Sequence, residues 1–108
     1  MEQISSQKVF EELLQNKSSF FLFKHSLTCP ISAKALSHFE SYDKLSHLPN
    51  YLIRIQENRE LSNAISEQTG VKHESPQVIL IQNGEVVWNA SHSSITNNTL
   101  RDAEQKIM

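Results

Sequence analysis

The chain has 108 residues, 38% of them hydrophobic, which is the size of one domain (expected over 1–108) and enough to bury roughly two thirds of the unfolded surface without a staple. A formal net charge of −2, with Lys and Arg dispersed along the chain, provides no basic field, so nucleic acid and anionic membrane surfaces are not expected partners. No apolar stretch nears the ~20 residues of a membrane span, Met1-Glu2-Gln3 does not read as a signal peptide, and a lone cysteine forbids an internal disulfide, so a reducing cytoplasm is the expected setting.

Val9, Phe10, Leu13 and Leu14 form two i, i+4 pairs, which predicts a short, weakly capped amphipathic helix over about 5–16. Ser19 to His25 holds four consecutive apolar residues, three of them Phe, and is predicted to be the core strand, covered on both faces. Ile31, Ala35, Phe39 and Tyr42 recur at helical spacing behind Pro30, which is tolerated in a first turn, so a helix is predicted over about 30–46. Tyr51, Ile53 and Ile55 alternate with Leu52 and Arg54 as in a strand, with one face partly open at the arginine. Asn58 stands where it can cap a helix lined by Leu61, Ala64 and Ile65, and Gly70 where it can stop one. Val78 to Ile81 is a second β-branched run, Asn83-Gly84 is a two-residue hairpin signal, and Val86-Val87-Trp88 resumes the strand antiparallel to it. Thr96 is the expected cap of a last helix with Leu100, Ala103 and Ile107 in one stripe. The order defines an α/β fold. It is a mixed four-stranded sheet flanked by helices, with an extra N-terminal helix and a right-handed crossover between the first two strands.

Cys29 lies where the apolar strand meets the helix that begins at Pro30. Unpaired N–H groups and the positive end of the helix dipole favour a thiolate there. Position alone fits a small buried hydrophobe equally well. Ser32, three residues on, can turn its hydroxyl toward the sulfur and donate to a thiolate, or it is an ordinary first-turn polar residue. Thr28 is placed to cap the helix or to hydrogen-bond a bound thiol, capping being the simpler role. His25 and His92 each end a strand on the side expected for Cys29, where an imidazole could bias the thiolate or protonate a leaving thiol; the plainer reading of each is a partly exposed polar side chain. His38, His47 and His73 have no ligand spacing with one another or with Cys29, so no metal site is expected. Trp88 is read as a packing residue of its strand.

Phe20 to Phe23 leading into Cys29-Pro30-Ile31-Ser32, then Gly70-Val71, Ser75-Pro76 and Val78 to Gly84, resemble the thioredoxin-like superfamily over nearly the whole chain. The resemblance implies a cis proline at Pro76 facing the reactive cysteine, with the backbone at Ser75 pairing with a substrate; without it, Pro76 is simply the start of a strand. Thr28-Cys29-Pro30-Ile31-Ser32, with Ala90-Ser91-His92 after the last strand, is similar to the single-cysteine (monothiol) bacilliredoxin family. That resemblance implies a thiol-disulfide oxidoreductase that removes bacillithiol from bacillithiolated proteins. It further implies Cys29 and Ser32 as catalytic residues and Thr28, Pro30, Ser75, Pro76 and His92 around the substrate. Bacillithiol is then a co-substrate thiol, and no tightly bound cofactor is expected. Ser32 stands where dithiol thioredoxins carry a resolving cysteine, and the Gly70 to Pro76 interval is about one residue longer than theirs. Two other classes remain open to the sequence: a thioredoxin-fold adaptor without a redox cycle, and an iron-sulfur carrier resembling monothiol glutaredoxins, against which Pro30 stands in place of that family's glycine.

Overall fold

The structure, a computed structural model, describes residues 1–16 and 19–107. Lys17, Ser18 and Met108 of the predicted domain lie outside the described residues. The elements are β1 (Glu2–Gln3), α1 (Gln7–Asn16), β2 (Ser19–His25), α2 (Pro30–Asp43), β3 (Asn50–Arg54), a 3₁₀ turn (Ile55–Glu57), α3 (Arg59–Thr69), β4 (Gln77–Gln82), β5 (Glu85–Ser91), a second 3₁₀ turn (His92–Ser94) and α4 (Asn97–Ile107). The sheet order is β1-β3-β2-β4-β5, parallel from β1 to β2 and antiparallel from β2 to β5. It therefore has five strands where four were predicted. The extra strand is two residues long, too short for any period to reveal; it is tied down by the Ile4 N–H donating to the Leu52 carbonyl at 2.9 Å, with the Ile4 side chain buried.

The alternation of β2 sorts the core into two layers. Phe20 and Leu22 face α1 and α3, where they meet Phe10, Leu13, Leu61 and Ile65. Phe21 and Phe23 face α2 and α4, where Phe39, Tyr42, Leu100 and Ala103 close over them. Phe23 stacks on Phe39 with ring centroids 5.1 Å apart, and Trp88 meets Phe21 edge to face at 6.2 Å, as a packing residue of β5. Two predicted core residues fall outside: Val9 is exposed on α1, and Ile31 is 52% exposed in the first turn of α2, whose buried residue is Ser32.

Local signals hold where backbone conformation demands them. Gly70 ends α3 at φ 72°, and Asn83 and Gly84 both take positive φ in the hairpin between β4 and β5. Thr96 caps α4, its Oγ1 accepting from the Thr99 N–H at 3.1 Å, and Ser6 does the same for α1. Asn58 sits at the start of α3 without capping it through its side chain, which instead donates to the Arg54 carbonyl at 3.0 Å. Helix α2 stops at Asp43 rather than near 46, where the Leu45 and Ser46 N–H groups both turn back to the Tyr42 carbonyl.

Candidate functional site

One end of the sheet gathers the chemistry. Lys24 on β2 is in register with Gln77 on β4, Gln77 with Ser91 on β5, and His25 with Arg54 on β3. The loop Ser26–Cys29, the turn after β3, the segment before β4 and the segment after β5 therefore emerge side by side. Ligands of open α/β sheets bind at such an end, beyond the carboxyl termini of the parallel strands.

Cys29 is the N-cap residue of α2, in extended conformation (φ −103°, ψ 119°), half-buried and unpaired. Its carbonyl accepts the Ala33 N–H at 3.1 Å, while its side chain makes no cap hydrogen bond, and Pro30 opens the first turn. The orphan N–H groups of that turn face the N-cap position, an electrostatic setting that favours an anion. Thr28 does not cap the helix. It is exposed, and its Oγ1 lies 3.4 Å from Gln56 Nε2; Gln56 also donates to Ser26 Oγ and accepts the Leu27 N–H, both at 2.9 Å. Gln56 thus clamps the whole approach to Cys29, a role invisible in the sequence because its partners are about thirty residues away.

Ser32 is fully buried behind Cys29. Its hydroxyl accepts the Ser26 N–H at 2.9 Å and shares a 2.8 Å hydrogen bond with His25 Nδ1. Both contacts lie in the loop wall, and neither is the sulfur toward which the sequence directed this hydroxyl. Burial, followed by the nearby Arg54 guanidinium, holds the His25 imidazole below the usual histidine range, with Glu40 opposing only in part. His25 is consequently neutral near pH 7, and its tautomer decides whether it donates to Ser32 or accepts from it.

The Ser75–Pro76 peptide bond is cis. Pro76 is buried and its carbonyl accepts the His92 N–H at 3.0 Å; Ser75 Oγ is buried without a hydrogen-bond partner. His92 is exposed, takes the left-handed conformation (φ 56°), and holds Nε2 3.6 Å from the Glu74 carboxylate. Cys29, Pro76 and His92 thus share one end of the sheet.

Lys24 is the residue that sequence reasoning passed over. It shares the face of β2 with Phe20 and Leu22, and that alternation was the available signal. The side chain is completely buried, its Nζ donating to the Ser62 carbonyl at 3.3 Å and to Ser66 Oγ at 3.1 Å, and lying 3.2 Å from His73 Nδ1. Desolvation lowers its pKa to about 8, and His73 is likewise lowered by burial and then by the lysine. Among the described residues no group of three or more His, Cys, Asp or Glu side chains is placed to hold a metal ion, and no helix is long and apolar enough to cross a membrane.

A mixed sheet with helices on both faces, a cysteine at the start of α2 and a cis proline at the start of β4 define a thioredoxin-fold protein with a single cysteine. The sequence matches the family described as monothiol bacilliredoxin BrxC over residues 2–100, and the chain belongs to that family. A solved structure described as a candidate oxidoreductase with a thioredoxin fold is 40% identical, covering 94% of this chain and 91% of its own, with a TM-score of 0.89. Schistosoma mansoni thioredoxin is 14% identical over 99% of this chain and 97% of its own, with a TM-score of 0.80. Fasciola hepatica thioredoxin is also 14% identical, over 98% of each chain, with a TM-score of 0.76. At these lower identities the likeness is one of fold. The family and the fold support a thiol-based redox role for the chain.

Proposed function

We propose that the protein is a monothiol thiol-disulfide oxidoreductase that removes bacillithiol from protein mixed disulfides, with Cys29 as nucleophile. The observation that carries this reading is a half-buried, unpaired cysteine at the N-cap of α2, in a chain of the monothiol bacilliredoxin family. The Cys29 thiolate attacks the bacillithiol sulfur of the mixed disulfide; the new Cys29–bacillithiol disulfide forms as the old S–S bond breaks, and the electron pair leaves on the protein thiolate. Ser32 carries no second thiol, so the captured bacillithiol stays on Cys29 until an external thiol removes it. Bacillithiol is a co-substrate in this cycle, bacillithiolated proteins are the partners, and the cycle requires the thiol poise of a reducing cytoplasm.

Thr28 and Pro30 border the sulfur, and the backbone at Ser75, before Pro76, docks the substrate chain through main-chain hydrogen bonds, which tolerates varied sequences. His92, held beside Pro76 by its N–H, borders the bound substrate. Ser32 acts by fixing the loop through Ser26 and His25, a positioning role. The test is to offer the reduced protein one model protein carrying either bacillithiol or glutathione and to follow its release. Release from the bacillithiol adduct at least about tenfold faster than from the glutathione adduct supports the reading; equal rates would leave a general disulfide reductase.

A further inference from the structure

Beside the proposed exchange site, and resting on that reading of it, lies a groove with a different chemistry. It has a volume of about 310 Å³ and runs between α2 and the segment after β5. Ile31, Ala35 and Ile95 contribute its apolar surface, and its ionisable lining groups are Lys34, His38 and His92, with no carboxylate among the lining residues. Ile31, Lys34, Ala35 and His38 follow the i, i+3, i+4, i+7 stripe of one helix face, so the groove starts in the first turn beyond Cys29. Along the axis Lys34 lies about 7.5 Å from Cys29, within reach of the far end of a small thiol whose sulfur is bonded there.

His92 supplies a second, independent observation. At φ 56° a side chain is disfavoured and glycine is the unstrained residue, yet an imidazole stands here, its backbone fixed by the 3.0 Å hydrogen bond from its N–H to the Pro76 carbonyl. Backbone strain of this kind collects where a side chain must be held in one place. The Glu74 carboxylate, 3.6 Å from His92 Nε2, is the one acidic group among the described residues paired with this rim and marks where an anion is already accepted.

We propose that this groove binds the carboxylate-bearing end of the small thiol whose disulfide reacts with Cys29. Lys34 receives the charge, His38 and His92 donate hydrogen bonds, and Ile31 packs against the thiol's aliphatic part. The groove is at the small end of ligand pockets, which suits a compact thiol rather than a folded partner. A carboxylate entering it competes with Glu74 for His92.

The experiment measures, by intact mass, the rate of adduct formation at Cys29 with three disulfides: bacillithiol disulfide (anionic), hydroxyethyl disulfide (neutral) and cystamine (cationic). Comparing each variant with wild type on the same disulfide cancels differences in leaving-group chemistry. In Lys34→Glu the anionic-to-neutral rate ratio falls at least about fivefold and the cationic-to-neutral ratio rises. In His92→Gly the anionic-to-neutral ratio also falls, while the thermal midpoint holds or rises because glycine relieves the positive φ. Unchanged ratios in both variants overturn the groove assignment while leaving the exchange intact. Absence of an adduct with all three disulfides in the wild-type chain overturns the exchange reading, and the groove with it.

Discussion

Helix α2 is held by a buried polar cluster at each end, and the two clusters are built differently. At its C-terminal end Glu104 accepts from Tyr42 Oη at 2.6 Å, from the Ser46 hydroxyl and from the His47 N–H at 3.1 Å. Burial pushes that carboxyl up, but the three hydrogen bonds outweigh it and hold the group below the usual carboxylate range. The carboxylate accepts from all three and donates to none. At the N-terminal end Ser32 sits between the Ser26 N–H and a neutral His25, and the proton in the 2.8 Å bond can belong to either partner. An anion surrounded by donors is a fixed anchor; a hydroxyl facing an imidazole can change its donor role by moving protons alone, with no heavy atom displaced. The adaptable cluster is the one behind Cys29.

The largest effect expected from breaking this contrast is at the cysteine itself. Cys29→Ser abolishes adduct formation with every disulfide and changes stability by about 0.5 kcal/mol or less, checked by intact mass and urea unfolding. A large stability loss would instead make Cys29 a packing residue. At the opposite end, Glu104→Gln costs about 2–3 kcal/mol near neutral pH, because buried donors lose a charged acceptor. The depressed folded pKa of Glu104 contributes stability that is fully present above the unfolded value of about 4.3 and is lost as pH falls through the folded value, so the difference between variant and wild type shrinks in acid. The exchange rate per folded molecule stays at the wild-type value; a parallel fall would mean the two ends of α2 are coupled.

Ser32→Ala sharpens the contrast from the other side. It strands the Ser26 N–H and a buried imidazole nitrogen, costs about 1–2 kcal/mol, and slows exchange in the molecules that remain folded. Lost stability with an unchanged rate would reduce the N-terminal cluster to an anchor like the other. The smallest effect is at Lys24, whose burial opposes folding. Lys24→Met raises stability by about 1 kcal/mol at pH 7, less than the full desolvation cost because Ser66 and His73 lose a partner. In the wild type the penalty is complete below the folded pKa of about 8 and fades as pH rises to the ordinary 10.5, so the variant's advantage vanishes within that range and reverses at higher pH. Urea midpoints across pH 7 to 11 measure it.

The legibility of these regions in the sequence differs for a physical reason. β2, the Asn83-Gly84 hairpin and the Gly70 stop are local properties of period and backbone conformation, and all three stand where expected. Cys29 at a strand-to-helix junction likewise follows from local pattern, whereas the cis bond before Pro76 was expected only from the resemblance to the thioredoxin-like superfamily. What escaped is long-range or relational. β1 exists only because β3 offers it an edge, Ile31 has core-like spacing but is half exposed in a turn that buries Ser32 instead, and Thr28 and Asn58 are cap-type residues whose side chains are engaged elsewhere. Ser32 was placed correctly by spacing, but its hydroxyl is directed by His25, seven residues away on another element. Lys24 and Gln56 carry contacts with partners about thirty to fifty positions away, which periodicity does not encode.

The most direct test of the account is a single-turnover experiment: reduced protein mixed with an excess of a bacillithiolated model protein, no other thiol present, quenched over time and read by intact mass. The account predicts one bacillithiol on Cys29, one equivalent of reduced model protein, and a halt until an external thiol is added. Release of reduced model protein beyond one equivalent, or with no mass gain on Cys29, would contradict it.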